Sequence, residues 1–215
     1  MIDPGPTASK AGNRRPIAAR SNALVQRFSA WLARAGVSPN AISVASIVFA
    51  ALGAAALLRL DSPWGPWLCA LAIVLRLLCN LFDGLVAVEH GRKTPTGVLY
   101  NEVPDRIADS LFLVALGHAA GLPWCGWLAA LLAALTAYIR TLGGTVLPSQ
   151  DFRGPMAKPH RMWLMVTACV LAPLEAALAG TGYVLRVAVL VIAAGSALTC
   201  WTRLRAIARQ LREGA

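Results

Sequence analysis

Charge is scarce in this chain and negative charge scarcest of all: ten of 215 residues are Asp or Glu, and 14% are charged in total. A soluble domain of this size needs a polar skin, so this supply excludes one and leaves a chain made for apolar surroundings. Cysteine occurs five times, at Cys69, Cys79, Cys125, Cys169 and Cys200, but never as Cys-x-x-Cys. That spacing supports neither zinc nor a disulfide framework, and the five read as small apolar residues of a lipid-embedded bundle. Histidine is rarer still, and His90 and His118 have no partner visible in the sequence. An apolar leader is missing too: residues 1–15 are polar and rich in Pro, Gly and Arg, which reads as a disordered cytoplasmic tail.

What the chain does have is apolar length, with 57% hydrophobic residues. Residues 41–58 run eighteen positions without a charge, roughly what spans a bilayer core. Residues 110–139 run thirty, but Gly121-Leu122-Pro123 and Gly126 break them into the end of one helix, a tight turn and the next helix. With 66–88, 162–180 and 183–202 these make six spans, so the expected fold is an all-α polytopic membrane protein whose membrane domain covers 38–215. Ahead of it, over 16–37, Leu24, Val25, Phe28, Trp31 and Leu32 fall on one helical face while Arg20, Arg27 and Arg34 recur every seven residues elsewhere. This pattern predicts an amphipathic helix lying in the membrane interface. Ser38-Pro39-Asn40 then starts the first span with a turn and cap signal.

Net charge is +10, and fifteen of the twenty Lys and Arg residues lie on one side of these spans. By the positive-inside bias that side is cytoplasmic, with both termini on it, in an inner or cytoplasmic membrane. The cations border apolar spans and form no groove interleaved with aromatics, so nucleic acid is excluded as a partner. Trp64, Trp67, Trp124 and Trp127 sit beside the outer turns as an aromatic belt.

Against this background, oxygen-bearing side chains inside the spans mark a site. Asn80 and Asp83 are i,i+3 and Asn101 and Asp105 are i,i+4, so each pair shares one face of its helix. Two such faces pointed at each other suit a hard cation such as magnesium, which takes carboxylate and carbonyl oxygens and binds together with substrate phosphates. Gly84 permits close approach of a ligand or helix, and Gly97 relieves the chain before Asn101. Asn101 is expected as an N-cap with Pro104 in the first turn. Deeper in the bundle, Arg76 and Asp109 lie at matching depth and are expected to pair. Arg140 is placed to point into the same cavity. The loop of residues 151–161 offers Arg153, Lys158, His160 and Arg161 to an anionic head group or a phosphorylated acceptor, beside the blander reading of positive-inside charge.

The segment Asn80 to Asp105 resembles the signature of the CDP-alcohol phosphotransferase family, Asp-x2-Asp-Gly-x2-Ala-Arg-x8-Gly-x3-Asp-x3-Asp. Asp83, Gly84, Ala87, Gly97 and Asp105 are in register, whereas Asn80 and Asn101 stand for two aspartates and Val88 for the arginine. The resemblance implies transfer of a substituted phosphate, chiefly phosphatidyl, from a CDP-linked donor such as CDP-diacylglycerol to an alcohol, phosphorylated or not, with release of CMP. It implies Mg2+ or Mn2+ held by Asn80, Asp83, Asn101 and Asp105, with Asp105 also the general base. Asp83, Gly84, Ala87 and Gly97 would border the nucleotide, and the protein would be a homodimer. The asparagines lower the charge of the four motif positions from −4 to −2, so metal and donor are expected to bind together. Arg92, Lys93 or Arg106 would replace the missing arginine. The competing reading is a non-catalytic lipid-binding or scaffold protein with a degenerate site. A prenyltransferase lacks its second acidic motif here, and a transporter lacks its broken-helix repeat.

Overall fold

The computed structural model describes residues 22–59, 63–92, 94–148 and 152–213, so the expected tail over 1–15 and the start of the 16–37 helix lie outside the described residues. The first helix, α1 (Ala23–Arg34), is capped by Asn22, whose Oδ1 accepts the Leu24 N–H at 2.9 Å. Six longer helices follow: α2 (Pro39–Arg59), α3 (Trp64–Glu89), α4 (Gly97–Ala119), α5 (Pro123–Val146), α6 (Lys158–Ala179) and α7 (Tyr183–Glu213). No strand occurs among the described residues.

Five of these, α2, α3, α5, α6 and α7, are long and apolar enough to cross a membrane. The sixth expected span, α4, is 23 residues long but carries Glu102, Asp105, Arg106 and Asp109, and this charge keeps it from meeting the same measure. The protein is thus a polytopic all-α membrane protein with five such helices and a sixth that brings charge into their midst. Large apolar side chains such as Leu52, Leu71 and Leu131 are more than half exposed on the outside of the bundle, as a lipid-facing surface requires.

The six long helices form a closed ring, with α2 packed on α3 and α4, α4 on α5, α5 on α7, α7 on α6, and α6 back on α3. Its interior is filled by Ile73, Phe112, Leu113, Leu116, Met162 and Met165, each at most 0% exposed. At the end remote from the charges the ring is drawn tight by small residues. A Cβ on Gly117 would come within 2.5 Å of the Gly126 backbone, so only glycine lets α4 and α5 touch there. The helix α1 lies against α3, with the Phe28 and Phe82 rings 4.8 Å apart and Ser29 Oγ 3.3 Å from His90 Nε2. Leu24 and Trp31 stay exposed on α1, which suits a helix resting in the interface.

Two local expectations are corrected. The fourth helix starts at Gly97 rather than at Asn101, because the Leu99 and Tyr100 N–H groups close the first turn onto the Thr96 carbonyl at 2.9 and 3.2 Å. Asn101 is therefore inside the helix and caps nothing, and Pro104 is an interior proline that removes the N–H opposite the Tyr100 carbonyl. Residues 158–161 are no loop either: α6 begins at Lys158, with Pro159 in its first turn where a missing N–H costs nothing.

Candidate active site

Most charged residues of the long helices collect at one end of the ring, built by the N-terminal halves of α2, α4 and α6 and the C-terminal halves of α3, α5 and α7, while Arg59, Glu175 and Arg186 lie at the other. Because α3 and α4 both pack on α2, the face of α3 that presents Asn80 and Asp83 meets the face of α4 that presents Asp105 inside the ring, each pair sharing one helical face.

Asp105 is the hub. Its Oδ1 accepts from Arg76 Nη2 at 3.0 Å and from Asn80 Nδ2 at 2.6 Å. Its Oδ2 is ion-paired with Lys158 Nζ and lies 3.6 Å from Arg106 Nη2. One turn deeper, Asp109 takes Arg76 Nη2 on Oδ1 at 2.7 Å and Arg161 Nη2 on Oδ2 at 3.3 Å. The expected pair of Arg76 and Asp109 is thus present, and Arg76 joins both aspartates of α4. An unpaired guanidinium at this depth would be costly; Nη2 meets both carboxylates and the Asp105 carbonyl, while the buried Nε and Nη1 have no hydrogen-bond partner among the described residues.

Asp83, 5% exposed, is held differently: its Oδ2 accepts from Ser43 Oγ of α2 at 2.6 Å, and no Lys, Arg or His among the described residues reaches ion-pair distance. A Cβ on Gly84 would meet nothing within 4 Å, so open space lies beside Asp83. Ala87 and Gly97 are partly exposed near the same end, and Asn101 is exposed one turn before Asp105. Glu102 on α4 accepts from Arg140 Nη2 of α5 at 2.6 Å and pairs with Arg106 at 3.5 Å, while the Arg140 guanidinium lies 5.6 Å from the centre of the Phe152 ring.

Of the expected phosphate ligands, Lys158 reaches the hub, Arg140 is tied to Glu102, and His160 and Arg153 are exposed. Arg161 is turned into the bundle, where Nη1 donates to the Met156 carbonyl at 2.9 Å and to Thr136 Oγ1 at 3.3 Å. Arg203 of α7 locks the loop before α6 by donating to the carbonyls of Arg153 at 2.8 Å and Thr136 at 2.7 Å. Reasoning from sequence missed Ser43 and Arg203. A serine within an apolar span was the only signal for the first, and charge at the end of a long apolar helix the only one for the second.

Among the described residues no three His, Cys, Asp or Glu side chains gather around one point. Asparagine at 80 and 101 is the reason. The donor set nevertheless fits one hard cation at Asp83, because a buried carboxylate without a cationic partner invites one. Asn80 turns its N–H toward Asp105 and so keeps its amide oxygen for a partner of the opposite kind, as a cation is. With Asp83, Glu102, Asp105 and Asp109 set against Arg76, Arg106, Arg140, Lys158 and Arg161, the cluster is positive on balance and suits an anionic ligand.

No curated protein matches the sequence. Among solved structures, Mycobacterium tuberculosis phosphatidylinositol phosphate synthase (PgsA1) with CDP-DAG bound superposes with a TM-score of 0.69 at 20% identity, covering 86% of this chain and 93% of that one. The same protein in complex with manganese and citrate gives 0.70 at 20% identity over 85% and 88%, and its apo form 0.64 at 20% over 83% and 93%. At such identity the likeness establishes the shared fold. The family model of CDP-alcohol phosphatidyltransferase matches residues 36–203, a stretch that holds α2 to α6, the greater part of α7 and every residue of the charged cluster. On that match the chain belongs to the CDP-alcohol phosphatidyltransferase family.

Proposed function

We propose that the protein transfers a phosphatidyl group from a CDP-linked lipid, CDP-diacylglycerol in the simplest case, to an alcohol in phospholipid synthesis. The observation that carries this reading is the pairing of Asp83, beside open space at Gly84, with an Asp105 hub surrounded by cations. A diphosphate is anionic and resists attack until its charge is neutralised. Arg106 and Lys158 bring positive charge to the mouth of the site, and Gly84 and Ala87 leave room for the nucleotide, with Gly97 at the start of the facing helix.

In the reaction the acceptor oxygen forms a bond to the phosphatidyl phosphorus, the bond from that phosphorus to the bridging oxygen breaks, and CMP departs with the electron pair. Asp105 takes the hydroxyl proton on Oδ2, where a lone pair remains beside Lys158 for the acceptor hydroxyl. Asp83, with the amide oxygens of Asn80 and Asn101, would hold Mg2+ or Mn2+. When bound, that ion supplies charge neutralisation at the diphosphate and the leaving oxygen. Arg153 and His160, both exposed at the same end, would meet a phosphorylated acceptor, together with Arg140, which is held on Glu102. Donor and acceptor would enter from the cytoplasmic side, on which the Lys and Arg bias also puts the termini, and the functional unit would be a homodimer.

Binding of CDP to the purified protein, measured calorimetrically with Mg2+ present, tests the site. Wild type should bind, and Asp83→Ala and Gly84→Val should each weaken binding at least tenfold, an order-of-magnitude expectation for loss of a charged partner or of space. Equal affinity in all three would contradict the placement of the nucleotide.

A further inference from the structure

We propose that the Lys158 ammonium is a built-in cation: it takes the place on Asp105 that a divalent ion would occupy, and so limits this centre to one divalent ion, at Asp83. The inference rests on the donor site proposed above and concerns how that site is charged.

Both oxygens of Asp105 already face donors. Oδ1 is bonded by Arg76 and Asn80, and Oδ2 by Lys158 with Arg106 close by. A magnesium-like ion must come within roughly 2.1 Å of its ligand oxygens, and on Oδ2 it would lie beside the Lys158 ammonium and close to the Arg106 guanidinium, so that repulsion between like charges sets it against sharing that oxygen. Asp83, equally buried, has no ion-pair partner among the described residues. The two aspartates are thus different: one is neutralised by the protein, the other is left for an ion.

Asn80 is matched to this division. Its N–H donation to Asp105 at 2.6 Å requires an amide. A carboxylate at position 80 would set acceptor against acceptor at that distance, which is tolerable only with a cation or a shared proton between them. Asparagine removes one negative charge and supplies a donor, while Lys158 adds a positive charge to the other oxygen of the same carboxylate. The two residues together do what a bound ion does for a pair of aspartates.

The lysine is also delivered by a fixed backbone. Met156 and Ala157, immediately before it, are buried, and the Met156 N–H donates to Thr199 Oγ1 at 2.9 Å. The Arg161 N–H closes the first turn of α6 onto the Ala157 carbonyl at 3.2 Å. The ammonium is therefore held on Asp105 by the start of a helix rather than by a loose loop.

Electron paramagnetic resonance of Mn2+ titrated onto the full-length protein in detergent, with CDP saturating, counts the ions directly. Wild type and Asn80→Asp should each bind one Mn2+ per chain, and Asn80→Asp/Lys158→Met should bind two. Two ions on wild type or on Asn80→Asp would overturn the proposal, as would a single ion on the folded double variant. Wild type alone suffices to overturn it if the double variant does not fold. Calorimetry of CDP in the same samples separates this from the functional reading: absence of CDP binding throughout removes the donor site, whereas CDP bound beside two Mn2+ on wild type removes only the role of Lys158.

Discussion

Arg76 decides how the site is held together. It is fully buried and joins Asp105 and Asp109, so its replacement leaves two carboxylates short of a partner. Arg76→Leu should lower stability by about 3–5 kcal/mol, whereas Arg76→Leu/Asp109→Leu should lose less than the two single losses together, read by thermal unfolding in detergent. Additive losses would show that the contact is not energetically coupled. The pair with Asp109 was legible in the sequence from depth alone, since both residues sit about the same number of turns into facing helices. The bond to Asp105 was not, because depth says nothing of the rotation that brings three side chains to one guanidinium. Ser43 was illegible for another reason: a serine in an apolar helix ordinarily satisfies itself on its own backbone, as this one also does with the Pro39 carbonyl at 3.2 Å. Asp105→Asn should keep CDP affinity but slow transfer by roughly a hundred- to ten-thousand-fold, the usual cost of a lost base. Unchanged turnover would assign the proton to another group.

At the scale of elements, the spans are readable because apolar length and turn residues are strong signals, although α5 already begins at Pro123, so that Gly126, which reads as part of the break, lies inside the helix. Helix starts were less readable. Asn101 looked like a cap because asparagine often is one, yet Thr96 and Gly97 lie a turn earlier and close the helix first. The start of α6 was hidden by a Pro-rich, basic stretch that resembles a loop, and this hid the inward course of Arg161 as well. Close contact between α4 and α5 is not legible in the sequence: Gly126 reads there only as part of a break, and Gly117 gives no signal of its own. Gly126→Val would push a side chain to within 2.7 Å of the Leu113 carbonyl. It should destabilise the ring by about 1–3 kcal/mol, the range for overpacking, while leaving CDP affinity of the folded fraction unchanged because the contact is at the far end from the site. A thermal shift below the resolution of the measurement would mean that α4 and α5 are free to move apart there.

For the molecule as a whole, a closed ring of helices concentrates at one end nearly all the charge that the chain carries within its spans. This answers the sparse acidic composition: the few carboxylates are placed where cations from other helices and an anionic donor meet them. A scaffold or lipid-binding protein with a degenerate site has no need for Asp83 to stay buried, uncompensated and beside open space. The most direct measurement is mass spectrometry of the lipids formed when the purified protein is incubated with CDP-diacylglycerol, Mg2+ or Mn2+ and a panel of free and phosphorylated alcohols, with CMP followed alongside. The account predicts one or more new phospholipids formed in step with CMP, and loss of both in Asp83→Ala. No CMP with any alcohol, or equal product from Asp83→Ala, would contradict it.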